Sequence, residues 1–134
     1  MNSNRDGMAR LRHAGALGLL LASCLCQVSA QALKDPRSAG VLDDLVTANH
    51  VLYGQGVVDG FGHISARSPV DATHFFMARS LAPPEVTLAD IMEFDSDGKV
   101  VGADSRPAYA ERFIHSEIYK IRPDVGSVVH GHSP

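Results

Sequence analysis

A helix, a sharp turn and a strand follow one another between residues 108 and 132, and this succession restricts the possible folds strongly. Residues 108–121 have isoleucines at helical spacing, and Pro123 ends the helix because a residue before proline avoids the helical conformation. Residues 125–130, which include three valines, then predict a strand. Such a unit is typical of a sheet layered with helices, in the α/β or α+β class.

The remainder of the chain predicts further elements of the same kind. Ser38 is a candidate N-cap for a first helix, because a serine hydroxyl can accept a hydrogen bond from a free backbone amide at the start of a helix. Helical spacing predicts that this helix runs over residues 39–53, and a glycine-rich turn runs into a strand over 60–67. Further strands are predicted over 74–78 and 91–94, with a hairpin turn that returns through 100–101.

Composition leaves room for one globular domain and gives no sign of nucleic-acid binding. The 134 residues are 45% hydrophobic and 20% charged, which is ordinary for a folded domain. The net charge is −3 and there is no basic run, so we expect no nucleic-acid partner.

Residues 1–32 have the pattern of a signal peptide. Three arginines precede an uncharged, mostly apolar run over residues 14–26, and small-x-small patterns follow at 28–30 and 30–32. We therefore expect an exported, periplasmic protein with a domain over residues 33–134. No stable membrane span should remain after cleavage, because the apolar run is shorter than the roughly 20 residues that a bilayer requires. The arginines are Arg5, Arg10 and Arg12.

Three alternatives to ordinary export remain open: an N-terminal anchor helix, a start codon assigned too far upstream, and lipoprotein processing at Cys24. Ordinary cleavage would remove Cys24 and Cys26, which leaves no cysteine for a disulfide. N-terminal sequencing of the secreted protein should begin near Gln31 or Leu33. A soluble cytoplasmic product that begins with Met1 would contradict export.

Candidate metal ligands and a candidate acid–base group lie near the C-terminal strand. His130 and His132 are two residues apart and would share one face of a strand, where two imidazoles can chelate a divalent metal. Glu111 and His115 would share one helix face, and Glu111 lies 19 residues before His130. A carboxylate beside a metal can serve as a ligand or as an acid–base group. A solvated strand end and a surface contact are the simpler alternatives.

Several segments together resemble the class II aldolase and adducin family. They read E-R-F-I-H-S-E-I-Y over 111–119, R-P-D over 122–124 and V-V-H-G-H-S over 128–133. The family pattern is E-x-x-x-H-x-x-x-Y, R-P-D and V-V-H-x-H-S, with the same spacing between the acid and both histidines. The segment G-H-I-S-A-R over 62–67 resembles the family's G-N-I-S-x-R loop, and the resemblance covers about residues 39–134.

The resemblance implies a three-layer α/β/α sheet, incomplete at the C-terminus, and a site that binds zinc, manganese or another divalent ion. It maps two metal ligands onto His130 and His132 and the catalytic acid–base carboxylate onto Glu111. The family's third histidine falls beyond residue 134, so we expect weak zinc binding and little or no turnover by this chain alone. Candidate substitutes for that histidine are His63, His74 and His115. Full-length relatives usually assemble as tetramers.

Departures from the family pattern bear on the substrate. The G-N-I-S loop usually binds a phosphate; its asparagine is His63 here, and its serine is Ser65. A second phosphate loop, usually threonine-glycine, aligns with Arg79 and Ser80, and a serine pair becomes Tyr109-Ala110. These replacements favour a carboxylate or an aromatic ring over a phosphate, because arginine binds carboxylates bidentately. The G-H-I-S form resembles a branch that includes aromatic-acid decarboxylases, although His63 and Arg79 could be structural variants only.

The function implied is a metal-dependent lyase acting on a small molecule, a hydroxy-carboxylate or hydroxy-aromatic acid. Aldol cleavage and decarboxylation would both pass through a metal-stabilised enediolate or carbanion, and epimerisation uses the same intermediate. Two other readings stay open: a truncated, non-catalytic fragment, and an adducin-like structural or interaction module. The two histidines of the H-x-H strand argue against the second, because adducin-like heads would be expected to lack metal ligands.

Overall fold

The computed structural model describes residues 32–132. Residues 1–31, which make up the predicted leader segment except Ala32 and include both cysteines, lie outside these residues, as do Ser133 and Pro134. Within the described range, no helix combines the length and the apolar character that a membrane crossing requires.

Four antiparallel strands form one sheet, in the spatial order β3-β2-β1-β4. Strand β1 pairs with β4 so that His63 lies opposite His130, and with β2 so that Ser65 lies opposite Met77. The strands are β1 (His63–Arg67), β2 (Phe75–Ala78), β3 (Ile91–Phe94) and β4 (Ser127–His130). The α-helices within residues 32–132 are α1 (Ala39–Gly54) and α2 (Arg112–Ile121).

The two helices cover opposite faces of the sheet. Successive strand residues point to opposite faces, so β2 sends Phe76 towards α1 and its neighbours Phe75 and Met77 towards α2. Helix α1 adds buried leucines to the first cluster, and α2 adds Tyr119 to the second. The predicted three-layer α/β/α arrangement is therefore confirmed.

Helix α1 has nearly the predicted bounds, but Ser38 does not cap it. A short 3₁₀ turn, Pro36–Ser38, runs directly into the helix, so Ser38 already has a helical backbone conformation. Its hydroxyl makes no capping bond and is buried with no partner among the described residues. The cap lies further upstream instead, where the Asp35 carboxylate accepts the Arg37 amide at 2.9 Å.

Helix α2 begins at Arg112, four residues later than predicted. Contacts distant in sequence hold the preceding segment against the sheet: the Tyr109 hydroxyl donates to the Leu81 carbonyl, and the Arg112 guanidinium donates to the Gly98 carbonyl at 2.7 Å. Glu111 consequently occupies the N-cap position and not a position inside the helix.

The isoleucine face of α2 is not its buried face. Ile114 is 43% exposed and Ile121 is 74% exposed, whereas His115, Ser116 and Tyr119 pack towards the sheet. The polar residues of this helix are therefore the ones that reach β1. The predicted hairpin after β3 is also shorter than expected, since a single bridge joins Phe94 to Val100.

Gly62 allows β4 to approach the start of β1. A Cβ atom at Gly62 would lie 2.6 Å from the Val58 Cβ and 3.0 Å from the His130 carbonyl oxygen. We expect Gly62→Ala to lower the free energy of unfolding by about 1–3 kcal/mol, the usual cost of overpacking. Gly60→Ala is the matched control, because nothing lies within 4 Å of a Cβ there. Equal urea midpoints for the two variants would contradict this close packing.

Candidate metal and acid–base site

Side chains from three segments converge where the end of β4 meets the start of β1 and of α2. The register that pairs His63 with His130 places both imidazoles on the α2 side, where their rings stack at 4.8 Å with an interplanar angle of 13°. The Glu111 carboxylate bridges them: Oε2 lies 3.3 Å from His63 Nε2, and Oε1 lies 3.5 Å from His130 Nε2. The structure thus brings together the acid and the strand histidine that the sequence singled out.

His132 completes a compact group with His130 and Glu111. Its Nε2 lies 3.2 Å from His130 Nε2 and 3.7 Å from Glu111 Oε1. A point equidistant from these three atoms lies about 2.0 Å from each, close to the length of zinc bonds to imidazole and carboxylate. The geometry of the three donors therefore fits a divalent metal.

A second, overlapping group contains His63 in place of His132. Ligand atoms of His63, Glu111 and His130 all lie within 4.8 Å of one another. His63 is only 1% exposed, and its other nitrogen, Nδ1, is 2.8 Å from His115 Nε2. His132, in contrast, has a side chain that is 44% exposed and free to meet an ion from solvent. We favour His132 for this reason.

The other proposed substitutes for a third histidine have different surroundings. Both ring nitrogens of the fully buried His115 already contact neighbours, at 2.8 Å from His63 and 2.6 Å from Ser65. His74 contacts Glu93 at 2.7 Å, and this pair does not join the metal-binding group within residues 32–132.

Asp59 is a member of the site that sequence reasoning missed. Its Oδ1 lies 3.3 Å from His132 Nδ1 and also accepts the Phe61 and Gly62 amides at 3.0 and 2.8 Å. The hydrogen bond with Asp59 raises the pKa of His132. An aspartate before a glycine indicates a turn, but only the folded chain shows that this turn faces a histidine 73 residues later.

Hydrogen bonding favours the ionised form of Glu111. The hydrogen bond with His63 lowers the pKa of this carboxyl below its ordinary value. Glu111 is therefore ionised near neutral pH and can accept a proton. Its side chain is 43% exposed, so the carboxylate is accessible to a small molecule.

Ser65 supports the site from inside the sheet–helix interface. It is fully buried, and its Oγ lies 2.6 Å from His115 Nδ1 and 2.8 Å from the Tyr119 hydroxyl. Direct contact between Ser65 and a substrate stays a prediction. The position that the structure gives to Ser65 favours support of His115.

Arg79 and Ser80 lie on the loop after β2, and Tyr109 lies in the segment before α2. The Arg79 guanidinium donates a hydrogen bond to the Asp90 carboxylate at 2.8 Å. Part of the guanidinium predicted to bind a substrate is therefore already engaged within the chain. The Ser80 amide donates to the Pro107 carbonyl at 2.8 Å and so ties this loop to the segment before α2. The centroid of the Tyr109 ring lies 4.5 Å from that of the His63 ring, so Tyr109 packs against the site through its aromatic ring.

Acidification of the metal-free chain should destabilise it through His115. Burial lowers the pKa of His115 from 6.5 to about 3, so the folded chain keeps this ring neutral while the unfolded chain protonates it. Its contribution is fully present above pH 6.5 and is lost as pH falls towards 3. We expect a loss of about 1.4 kcal/mol per pH unit below pH 6. The pKa of His63 is also lowered, by burial, whereas the pKa of His132 is raised by its hydrogen bond with Asp59.

Urea unfolding at about pH 7 and about pH 5 measures this dependence. His115→Gln should be less stable near neutral pH, with a flatter dependence on pH, because the titrating group is gone. The same slope in both proteins would show that His115 does not remain neutral in the folded chain.

The chain matches a family model described as Class II Aldolase and Adducin N-terminal domain, over residues 43–134. The decarboxylase tropJ of Talaromyces stipitatus is 43% identical over 90 residues, which cover 66% of this chain and 34% of that protein. The methylthioribulose-1-phosphate dehydratase of Gluconacetobacter diazotrophicus is 34% identical over 96 residues, which cover 71% and 46%.

Solved structures show the same fold. An L-fuculose 1-phosphate aldolase from Glaciozyma antarctica superposes with a TM-score of 0.64 at 27% identity, over 80% of this chain and 48% of that one. An aldolase II superfamily protein from Pseudomonas syringae gives 0.66 at 30% identity, over 74% and 41%. The chain thus spans between about a third and a half of the length of these relatives.

Proposed function

Because the chain belongs to the class II aldolase and adducin N-terminal domain family, we propose that it carries the metal-binding and proton-transferring part of a zinc-dependent carbon–carbon lyase. A lyase-type function is supported by the decarboxylase and dehydratase relatives. The observation that carries the proposal is the convergence of Glu111, His130 and His132, with donor atoms 3.2–3.7 Å apart.

We assign the metal to His130 Nε2 and His132 Nε2, with Glu111 Oε1 as a third donor. Two imidazoles and a carboxylate form a known set of protein ligands for catalytic zinc, and manganese is the alternative. A divalent cation bound there would supply Lewis-acid stabilisation of negative charge on substrate oxygens. Asp59 would orient His132, since a metal-binding imidazole usually donates its other N–H to a carboxylate or carbonyl.

Glu111 is the residue proposed to move the proton. Its ionised carboxylate is accessible and can take a proton from a substrate hydroxyl, then return it to carbon after the carbon–carbon bond breaks. The role as a ligand and the role as an acid–base group compete for the same carboxylate. Oε2 faces His63 and Oε1 faces the histidine pair, so the two roles involve different oxygens.

The substrate class that we propose is a hydroxy-carboxylate or hydroxy-aromatic acid. The partly exposed rings of Tyr109 and His130 pack against the buried His63 ring, at 4.5 and 4.8 Å, and place aromatic groups near Glu111. Identity to the decarboxylase is 43%, against 34% to the dehydratase of a sugar phosphate over a similar length. Assembly into a tetramer, export and periplasmic location remain proposals alongside this one.

Calorimetric titration of the zinc-loaded chain tests the substrate class. A catechol carboxylic acid should bind at least about 10-fold more tightly than a sugar phosphate, a difference of about 1.4 kcal/mol. Tyr109→Ala should weaken binding of the acid, whereas Tyr53→Ala, a partly exposed tyrosine on α1, should not. Any release of carbon dioxide from the acid should fall by about 10²–10⁴-fold in Glu111→Gln.

Preferential binding of the sugar phosphate would overturn the proposed substrate class while leaving the metal site intact. Release of carbon dioxide that survives Glu111→Gln would instead remove Glu111 from the chemistry.

A further inference from the structure

We propose that His115 is a positioning residue that holds His63 as a hydrogen-bond donor to Glu111 and thereby keeps His63 from ligating the metal. The inference deepens the proposed function, on which it rests for the role of Glu111. The hydrogen-bond geometry that carries it is independent of any bound ion.

An uninterrupted row of side-chain contacts leads from the interior to Glu111. It starts at the Tyr119 hydroxyl on α2, crosses to β1, returns to α2 and crosses to β1 again. The successive contacts are Tyr119 OH to Ser65 Oγ (2.8 Å), Ser65 Oγ to His115 Nδ1 (2.6 Å), His115 Nε2 to His63 Nδ1 (2.8 Å) and His63 Nε2 to Glu111 Oε2 (3.3 Å). Ser65, His63 and His115 are at most 1% exposed and Tyr119 is 6% exposed, so these four are shielded from water.

The end at Glu111 sets the direction of the row. A carboxylate only accepts, so His63 Nε2 must carry a proton. Burial opposes a charged imidazole, and a neutral ring has one N–H, which leaves His63 Nδ1 as an acceptor. The proton between the two rings therefore belongs to His115 Nε2.

The interior end agrees with this direction. With its proton on Nε2, neutral His115 accepts at Nδ1, so the Ser65 hydroxyl donates to it. Ser65 in turn accepts the Tyr119 hydroxyl proton. Every proton in the row then has one acceptor, and every bond has one donor.

The opposite direction leaves a proton without an acceptor. If His63 bound a metal through Nε2, its Nδ1 would have to donate to His115 Nε2, and His115 Nδ1 would have to donate to Ser65 Oγ. The Ser65 and Tyr119 hydroxyls would then have only their mutual contact for two protons, so one of these protons would have no acceptor within hydrogen-bonding distance in residues 32–132. Stranding a buried hydroxyl in this way is costly, so the row disfavours His63 as a ligand.

The arrangement divides the two oxygens of Glu111 between two tasks. Oε2 accepts a hydrogen bond from His63 Nε2, whereas Oε1 lies 3.5 Å from His130 Nε2 and 3.7 Å from His132 Nε2. His115 never touches this carboxylate in the row, and acts on it only through His63.

Nitrogen-15 NMR of the metal-free chain tests the proposal, because protonated and bare imidazole nitrogens give distinct signals. We expect a proton on Nε2 and a bare Nδ1 in both His63 and His115. A proton on Nδ1 of His63, or a doubly protonated His63 ring, would overturn the proposal. Neither metal nor substrate is present, so this failure is distinct from failure of the proposed lyase function.

Two serine variants provide a matched comparison. Ser65→Ala removes the donor to His115 Nδ1 and should shift the tautomer ratio of His115 by roughly 2- to 10-fold, the effect of one net hydrogen bond. Ser116 is equally buried, but its hydroxyl donates to the Phe113 carbonyl outside the row, so Ser116→Ala should leave the ratio unchanged. An equal response of the two variants would overturn the proposal. If Ser65→Ala fails to fold, the measurement on the unaltered chain still decides.

Discussion

Replacing His130 with alanine is expected to lower the zinc affinity of the chain by at least about 100-fold, or about 2.7 kcal/mol. His130 is the histidine shared by both possible ligand groups, and its Nε2 lies 3.2 Å from His132 Nε2 and 3.5 Å from Glu111 Oε1. Loss of a residue that only orients a ligand typically costs 10- to 100-fold, so loss of a ligand should cost more. Calorimetric titration with zinc near neutral pH measures the change.

Two other histidines serve as controls for this experiment. His63→Asn should keep zinc affinity within about 10-fold, because an asparagine amide can still donate to Glu111. His50 contacts the Val86 carbonyl through its Nε2 on α1, and His50→Ala should have no effect on zinc. If His63→Asn loses as much affinity as His130→Ala while His132→Ala does not, His63 is the ligand and our assignment is wrong.

Phe75→Ala is expected to lower the free energy of unfolding by about 3–5 kcal/mol, the usual cost of truncating a buried phenylalanine. Phe75 is 1% exposed, and its ring lies 5.3 Å from both Phe94 and Tyr119. Because Tyr119 anchors α2 on the sheet, the cavity would also loosen His115 and the start of the helix. A loss of this size is a large part of the 5–15 kcal/mol typical of a whole domain.

Urea unfolding of the metal-free chain provides the measurement, with Phe61→Ala as the control. Phe61 is 75% exposed, so its truncation should change stability by less than about 0.5 kcal/mol. A loss below about 1 kcal/mol for Phe75→Ala would mean that the face of the sheet beneath α2 is not packed as described.

The elements with strong local patterns could be predicted from the sequence. Strand β3 has the predicted bounds, because a four-residue segment that begins with Ile91 and ends with Phe94 lies between a short 3₁₀ turn, Leu88–Asp90, and an Asp-Gly turn. Helix α1 ends within one residue of the prediction, since its apolar spacing stops just before two glycines. In both cases the deciding residues are neighbours in sequence.

Features that depend on distant contacts could not be predicted in this way. The late start of α2 results from bonds that tie Tyr109 to Leu81 and Arg112 to Gly98. The burial of His115 in place of an isoleucine face also depends on the sheet, because a local pattern does not show what polar partners a strand will offer.

The same distinction between local patterns and distant contacts applies to the site. The spacing of Glu111, His130 and His132 predicted a common location, and the register between β1 and β4 places these residues together. The contact between Asp59 and His132 and the buried neighbours of His63 span 50 or more residues, so no short motif reveals them.

Crystals of the chain soaked in zinc and measured at the zinc absorption edge test the central claim most directly. We predict one anomalous peak within bonding distance of His130 Nε2 and His132 Nε2, on the side of Glu111 Oε1, with His63 still hydrogen-bonded to Glu111 Oε2. A peak bonded to His63 but not to His132, or no peak between the strand histidines at saturating zinc, would contradict it.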